Sequence, residues 1–171
     1  MYRIVTVCTG NICRSPMAEI MLTRAFEEAG LGNEVQVDSA GTTGWEIGNP
    51  IDERAAAKLT ELGLESETHR ARRFEPAWYA ERDLILALDV DHYEDLRIEA
   101  PDADSRGRVR MLREFDPATT GTPVSELGIY DPWYGDSADF EATWQMIHNA
   151  VPGIVQYVQE ELARGHASAD G

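Results

Sequence analysis

The segment V-C-T-G-N-I-C-R-S-P at positions 7–16 restricts the fold more than any other part of the chain. It follows a β-branched run at residues 2–7, which predicts a buried strand. It leads into residues 16–29, where apolar residues recur at helical spacing. Ser15 and Pro16 are residue types favoured at a helix start. Cys8 is therefore expected at the carboxyl end of a strand, with Arg14 six residues later, before the helix.

This loop has the chemistry of an anion site. A helix N-terminus presents unpaired N–H groups and a partial positive charge. Gly10 and Asn11 tolerate the left-handed backbone that wraps a loop around an anion. Arg14 offers a planar guanidinium to two oxygens of a phosphate. The same positive field favours the thiolate form of Cys8. The segment therefore predicts nucleophilic displacement at phosphorus.

The residues from Cys8 to Glu19, C-T-G-N-I-C-R-S-P-M-A-E, resemble the signature of the low-molecular-weight protein tyrosine phosphatases of bacterial type. The resemblance implies an α/β fold: a single-domain three-layer sandwich with a central four-stranded parallel sheet and helices on both faces. It implies a hydrolase of phosphotyrosine that works through a phosphocysteine on Cys8, without cofactor or metal. The loop residues that it assigns to phosphate binding are Thr9, Gly10, Asn11, Ile12, Cys13 and Ser15.

A second segment, D-P-W-Y-G at 131–135, matches the loop of that family that carries the general acid. The resemblance implies that Asp131 protonates the leaving oxygen and then activates water. Spacing alone would favour a turn-capping role for this aspartate. The family usually has tyrosine where Trp133 stands. Together with Trp45, the pair Trp133 and Tyr134 is predicted to form an aromatic substrate pocket.

The resemblance also assigns supporting roles. Asn11 is expected to shape the loop, with Ser39 and His69 as its hydrogen-bonded partners. Asp89 is expected near Arg14. Two simpler alternatives stay open, since His69 would also fit a surface histidine and Asp89 a cap at the end of a strand.

Two further loop positions have alternative roles. Ser15 either donates its hydroxyl to the Cys8 sulfur or caps the helix, and both roles are compatible. For Cys13 the resemblance implies a reversible disulfide with Cys8 that protects it from over-oxidation, which makes the pair redox-sensitive. The alternative for Cys13 is a small residue of the core.

Strands alternate with helices along the chain, which predicts a mainly parallel sheet covered on both faces. Sites in such sheets lie beyond the carboxyl ends of the strands, so Cys8, Ser39 and Asp89 are expected at one edge. Pro152 is expected to kink or divide the last helix. The predicted strands are 2–7, 35–40, 84–88 and 109–112, and the predicted helices are 16–29, 52–62, 76–80, 90–98 and a long C-terminal one.

Length and charge limit the domains and the partners. The 171 residues, 43% of them hydrophobic, suit one phosphatase domain at 1–165 followed by a flexible tail at 166–171. The net charge of −16 argues against nucleic acid and anionic membranes, which require basic patches. We expect a monomer whose partner is a tyrosine-phosphorylated protein, with phosphate or another oxyanion in the site.

Cysteine usage and the termini suggest a compartment. Cys8 and Cys13 are the two cysteines of the chain, which is not a secreted disulfide framework. Residues 1–20 lack the pattern of a signal peptide, and no apolar run has the length of a membrane span. We expect a reducing cytoplasm, with export without a cleaved signal left open.

Three other functions were weighed against these motifs. Arsenate reduction on the same scaffold requires resolving cysteines beyond Cys13, and the sequence has none. A phosphoarginine phosphatase resembles this loop but carries threonine at the position of Ile12. A catalytically weak phosphopeptide-binding module has no need of Cys8, Arg14 and Asp131 together.

Overall fold

The computed structural model describes the backbone of residues 1–170 and the side chains of residues 1–165 other than Tyr134. Its sheet has the strand order β2-β1-β3-β4, and every neighbouring pair is parallel. The predicted four-stranded parallel sheet is therefore confirmed. The strands are β1 (Tyr2–Cys8), β2 (Val35–Gly41), β3 (Leu84–Ala87) and β4 (Val109–Met111).

Helices cover both faces of the sheet, which confirms the three-layer sandwich. Alternate residues of β1 enter two different cores, as the pleat of a strand requires. Ile4 and Cys8 pack with the first, second and last helices, whereas Val5 and Val7 pack with the third and fourth. The helices are α1 (Arg14–Glu28), α2 (Glu53–Glu61), α3 (Trp78–Glu81), α4 (Val90–Glu99), α5 (Ala103–Gly107) and α6 (Ser137–Asp170).

The start of α1 differs from the prediction. The helix begins at Arg14, its cap position is Cys13, and no side chain caps it. The expectation that Ser15 caps the helix is therefore wrong, and Pro16 is the third helical residue rather than the first. Proline is tolerated there because the first four N–H groups of a helix have no intrahelical partner. The Ser15 side chain is left free for another contact.

The last helix also differs. It runs as one element through Pro152, so the predicted division is wrong. The neighbouring Gly153 lies so close to the backbone oxygen of Phe115 that an added Cβ would collide with it. The predicted flexible tail at 166–171 lies outside the described part of the chain, which includes neither the side chains of residues 166–170 nor Gly171. None of the described helices combines the length and the apolar character needed to cross a membrane.

Short elements fill the predicted loops. The helix α5 was missed by the sequence analysis, although Asp102 caps it by accepting from the Ser105 N–H at 2.7 Å. The basic stretch at 68–73 makes a single parallel bridge, between Gly41 and Arg73. Beyond β4 the chain forms four 3₁₀ turns, Leu112–Phe115, Pro117–Thr119, Val124–Glu126 and Pro132–Tyr134.

Candidate active site

The loop from Cys8 to Arg14 connects β1 to α1 at the carboxyl edge of the sheet. Cys8 ends β1 and is 3% exposed. Asn11 has a φ of 61°, the left-handed region that asparagine tolerates better than most residues. Gly10, which was predicted to share that conformation, has no positive φ. Its lack of a side chain serves a close approach instead, because an added Cβ would lie 3.2 Å from the Glu46 side chain.

The side chain of Asn11 holds the loop in this shape. Its amide nitrogen donates to the hydroxyls of Ser15 and Ser39, both at 2.9 Å. Its amide oxygen accepts from the Arg72 backbone N–H at 2.9 Å. Asn11 is fully buried, so each of these groups has replaced water by a protein partner. Residues of α1, of β2 and of the segment that pairs with β2 therefore hold the left-handed turn in place.

The structure places His69 and Asp89 beside the loop. The Nε2 of His69 is 2.6 Å from the Asn11 carbonyl oxygen, and partial burial lowers the pKa of this histidine. Asp89 caps α4 by accepting from the Val90 N–H at 2.8 Å, and its other oxygen lies 3.5 Å from Arg14. The capping role and the role beside Arg14 thus coexist in Asp89.

The backbone N–H groups of the loop are the predicted phosphate donors, and that role stays a prediction. Among the hydrogen bonds of the described residues, none uses the N–H groups of residues 10–13 as donors. Buried or half-buried N–H groups without a partner are rare unless they face water or a ligand. Consecutive N–H groups at the start of a helix form an anion site. The side chains of Asn11 and Ser15 are fully buried and bond to other groups of the protein.

Arg14 ties the loop to the rest of the site. It is 3% exposed, and its Nη1 donates to the Ile129 carbonyl at 2.8 Å. The same guanidinium lies 3.5 Å from Asp89 and 3.6 Å from Asp131. These contacts fix the plane of the guanidinium while leaving donors for a phosphate. Arg14 is therefore an ordered positive charge within a strongly acidic protein.

Ser15 contacts the sulfur of Cys8. The Ser15 hydroxyl oxygen accepts from Asn11 and lies 2.9 Å from the Cys8 Sγ. When Cys8 is a thiolate it has no proton to give, so in this pair the Ser15 hydroxyl is the donor. The carbonyl oxygen of Ala40 is a more distant acceptor at 3.4 Å. A hydroxyl that donates to sulfur stabilises a thiolate.

Cys13 is the second thiol of the site. It is 5% exposed, and both cysteines are free. Burial, and after it the nearby Cys8, raises the pKa of the Cys13 thiol well above its ordinary value. A neutral thiol is a weak nucleophile, so Cys8 is the better candidate to attack a substrate. The Cys8–Cys13 disulfide stays a prediction.

Asp131 starts the 3₁₀ turn Pro132–Tyr134. One carboxylate oxygen accepts from the Trp133 N–H at 3.0 Å, and the other faces Arg14. Its side chain is 47% exposed at the mouth of the site. Arg54 of α2 contacts this turn twice. Its guanidinium lies over the Trp133 ring, 5.4 Å from the ring centroid, and donates to the Gly135 carbonyl at 3.3 Å. Asp131 is thus a turn cap and a pocket residue at once.

These side chains line one pocket of about 200 Å³. Cys8 lies in the pocket with the loop, Trp45 and Trp133 stand at its mouth, and Glu46 was not foreseen as a lining residue. Trp45 is 80% exposed and Trp133 is 41% exposed. The predicted pocket role of the Tyr134 side chain falls outside the described residues. The lining residues are Cys8, Thr9, Gly10, Ile12, Cys13, Arg14, Trp45, Glu46, Asp131 and Trp133.

The partners of the loop that were missed by the sequence analysis include a backbone carbonyl and a histidine. The Ile129 carbonyl binds Arg14, and a backbone contact across such a separation has no signal in the sequence. His92 lies 2.8 Å from the Thr9 hydroxyl and is 3% exposed. Its position three residues after the cap Asp89 is the one signal that could have marked it, as the second half of a capping box.

Comparison with known proteins places this geometry in a family. Residues 3–164 match the family model described as low molecular weight phosphotyrosine protein phosphatase. The low molecular weight protein-tyrosine phosphatase A of Mycobacterium tuberculosis (strain ATCC 25618 / H37Rv) is 46% identical over 165 residues, which cover 96% of each chain. The low molecular weight protein-tyrosine-phosphatase of Streptomyces coelicolor is 43% identical over 161 residues, covering 94% of this chain and 96% of that protein.

Comparison with solved structures shows a similar fold over most of the chain. The crystal structure of YfkJ from Bacillus subtilis superimposes with a TM-score of 0.83 at 29% sequence identity. The match covers 94% of this chain and 96% of that one. The likeness therefore extends over nearly the whole sheet, its helices and the loops at the carboxyl edge.

Proposed function

The chain belongs to the low molecular weight phosphotyrosine protein phosphatases, and we propose that its reaction is carried by Cys8, Arg14 and Asp131. It is a protein-tyrosine phosphatase, a hydrolase. The single observation that carries the assignment of roles is that these three side chains line one pocket, with Arg14 within 3.6 Å of Asp131. A nucleophile, an anion clamp and an acid in one pocket are the parts that phosphoryl transfer through a covalent intermediate requires.

In the first step the Cys8 thiolate attacks phosphorus while the bond from phosphorus to the tyrosine oxygen breaks. Asp131, protonated at the start, gives its proton to that oxygen, so tyrosine leaves as a neutral phenol. Arg14 and the free N–H groups of residues 10–13 bind the phosphoryl oxygens. They are fixed in place before the reaction, so they stabilise the developing charge without reorganisation.

In the second step Asp131, now a carboxylate, takes a proton from water. The water oxygen attacks phosphorus, and the bond from phosphorus to the Cys8 sulfur breaks. Inorganic phosphate leaves and Cys8 returns to its thiolate form. The Ser15 hydroxyl, 2.9 Å from that sulfur, stabilises the thiolate both as nucleophile and as leaving group.

The substrate class follows from the mouth of the pocket. Trp45 and Trp133 offer flat aromatic faces to a phenyl ring, and Ile12 of the loop adds an apolar side chain to the same pocket. These residues support a phosphotyrosine side chain presented by a protein segment. We propose that its partners are tyrosine-phosphorylated proteins. We also propose that the domain at 1–165 acts as a monomer. The compartment that we propose is a reducing cytoplasm, in which the free thiols of Cys8 and Cys13 persist.

A panel of phosphopeptides tests this substrate class. Phosphotyrosine, phosphoserine and phosphoarginine peptides of matched sequence would be compared by phosphate release in EDTA. We expect turnover of the phosphotyrosine peptide well above the other two. Faster turnover of the phosphoarginine peptide would show that the substrate class is phosphoarginine and not phosphotyrosine. Binding of phosphopeptides without any turnover would support the binding-module alternative.

A further inference from the structure

His92 makes a contact that its structural role does not require. It is 3% exposed and occupies the first turn of α4, where its Nδ1 accepts from the Asp89 backbone N–H at 3.2 Å. That bond completes the capping box of α4. The other ring nitrogen, Nε2, reaches across 83 positions of sequence to the Thr9 hydroxyl at 2.8 Å. Helix capping accounts for the first contact and leaves the second unexplained.

The first contact decides which ring nitrogen carries the proton. The Asp89 N–H can only donate, so Nδ1 must be an unprotonated acceptor, and we assign the proton of the neutral ring to Nε2. Burial, and after it the positive Arg14, lowers the pKa of His92 to about 3. The imidazole is therefore neutral at ordinary pH, and Nε2–H donates to Thr9.

The orientation of the Thr9 hydroxyl follows from its neighbours. Its oxygen accepts from His92 at 2.8 Å and lies 3.5 Å from the Arg14 Nη2, which is also a donor. A hydroxyl has two acceptor positions and one hydrogen. Both contacts recorded for it in the described part of the chain use the oxygen as acceptor. The hydrogen is therefore left to point elsewhere, and Thr9 lines the pocket.

We propose that His92 is a positioning residue that holds the Thr9 hydroxyl as a further hydrogen-bond donor to the phosphoryl group. This inference rests on the proposed function of the pocket. The hydroxyl lies on the Arg14 Nη2 side of the site, and that same nitrogen is 3.6 Å from Asp131. Thr9 thus adds a side-chain donor where charge develops on the phosphoryl oxygens. A donor held by a buried imidazole needs no reorganisation when the reaction occurs.

The test is a double-mutant cycle between Thr9 and His92. The readouts are kcat and KM for an aryl phosphate, and competitive inhibition by inorganic phosphate and by vanadate. Vanadate becomes five-coordinate when a thiolate adds to it, and that adduct resembles the transition state. Thr9→Val keeps the shape and removes the hydroxyl, and His92→Leu removes the donor that orients it. We expect each variant to weaken vanadate inhibition and lower kcat/KM by roughly 10- to 100-fold. The double variant should be no worse than the worse single one.

Two further variants separate positioning from stability. His92→Gln places an amide N–H near the Nε2 position, so it should recover much of the vanadate inhibition that His92→Leu loses. Leu96→Ala is the matched structural control, because Leu96 lies on the same helix, is 2% exposed and packs in the core cluster with Val5 and Val7. It should lower the melting temperature while leaving the inhibition constant of vanadate unchanged.

Losses that add in the double variant would overturn the inference, as would a loss of vanadate inhibition in Leu96→Ala equal to that in His92→Leu. The outcome is separable from the proposed function. If the wild-type protein hydrolyses no aryl phosphate, the function fails, and the same cycle measured by phosphate binding through tryptophan fluorescence still decides the role of His92.

Discussion

The hydroxyl oxygen of Ser15 lies 2.9 Å from the sulfur of Cys8, in the interior of the protein. We expect Ser15→Ala to lower kcat for an aryl phosphate by roughly 10- to 100-fold, because a hydrogen bond to a charged group is lost. Ser105→Ala is a matched control, since Ser105 is also buried at 3% exposure but belongs to α5. Steady-state kinetics of both variants would check this. Equal kcat values for the wild type and Ser15→Ala would refute the role of the hydroxyl.

The role of Asp131 predicts a change in leaving-group dependence. Asp131→Asn keeps an oxygen that can accept from the Trp133 N–H, so the turn is preserved while the acid is lost. We expect kcat/KM of the wild type to vary little across aryl phosphates whose phenols differ in acidity. In Asp131→Asn the rate should fall steeply as the phenol becomes less acidic, by about 100-fold or more for the poorest leaving groups. Parallel slopes for the two proteins would mean that Asp131 does not donate the proton.

The buried pair of Asp38 and Arg82 predicts a stability effect. Arg82 donates to the two carboxylate oxygens at 2.6 Å and 3.1 Å, and both residues are less than a tenth exposed. We expect Arg82→Leu to lower the free energy of unfolding by about 3–5 kcal/mol, because the carboxylate is left buried without a partner. Urea denaturation would measure it. The double variant Asp38→Leu/Arg82→Leu should recover part of that loss, and a double variant no more stable than Arg82→Leu would contradict this explanation.

Glu19 on α1 predicts a dependence of stability on pH. Burial raises the pKa of Glu19 to about 7, although Arg72 opposes the shift from 4.0 Å. Between pH 4.5 and pH 7 the folded state therefore binds this proton more tightly than the unfolded state, so stability decreases as pH rises through that window. The variant Glu19→Gln has no ionisable group at this position, so it lacks this dependence of stability on pH.

The stability of Glu19→Gln relative to the wild type should therefore increase from pH 5 to pH 8, by roughly 1–3 kcal/mol. Urea denaturation at both pH values would measure it. Glu28→Gln, at an exposed position of the same helix, should show no such trend. If the free energies of unfolding of Glu19→Gln and the wild type differ by the same amount at all pH values, the Glu19 carboxyl group ionises alike in the folded and unfolded states, which would contradict this prediction.

Much of the fold and of the loop could be predicted because their signals are local. The β-branched run of β1 and the adjacent Cys8 loop predict strand, turn and helix from neighbouring residues alone. The start of α1 was misplaced for a related reason. A Ser-Pro pair suits more than one position in the first turn of a helix. The Ser15 side chain contacts Cys8 and does not cap the helix, so its capping preference misplaced the helix start.

Contacts between residues that are far apart in the sequence could not be predicted in the same way. Arg14 binds the Ile129 carbonyl across 115 positions, and any residue type supplies a carbonyl. The partnership of His92 with Thr9 depends on the packing of α4 beside the loop, which no local pattern encodes. Glu46 enters the pocket because Gly10 leaves room for its side chain. Such features appear only when the sheet brings its loops together.

The most direct measurement of the central claim is rapid-quench mass spectrometry of the wild type and Cys8→Ser during hydrolysis of a phosphotyrosine peptide. For the wild type we predict a transient phosphoryl group on the peptide that contains Cys8, formed and lost at rates that account for turnover. Cys8→Ser should show neither this adduct nor measurable phosphate release. Phosphate release by Cys8→Ser, or wild-type turnover without any phosphoryl group on Cys8, would contradict the proposed mechanism.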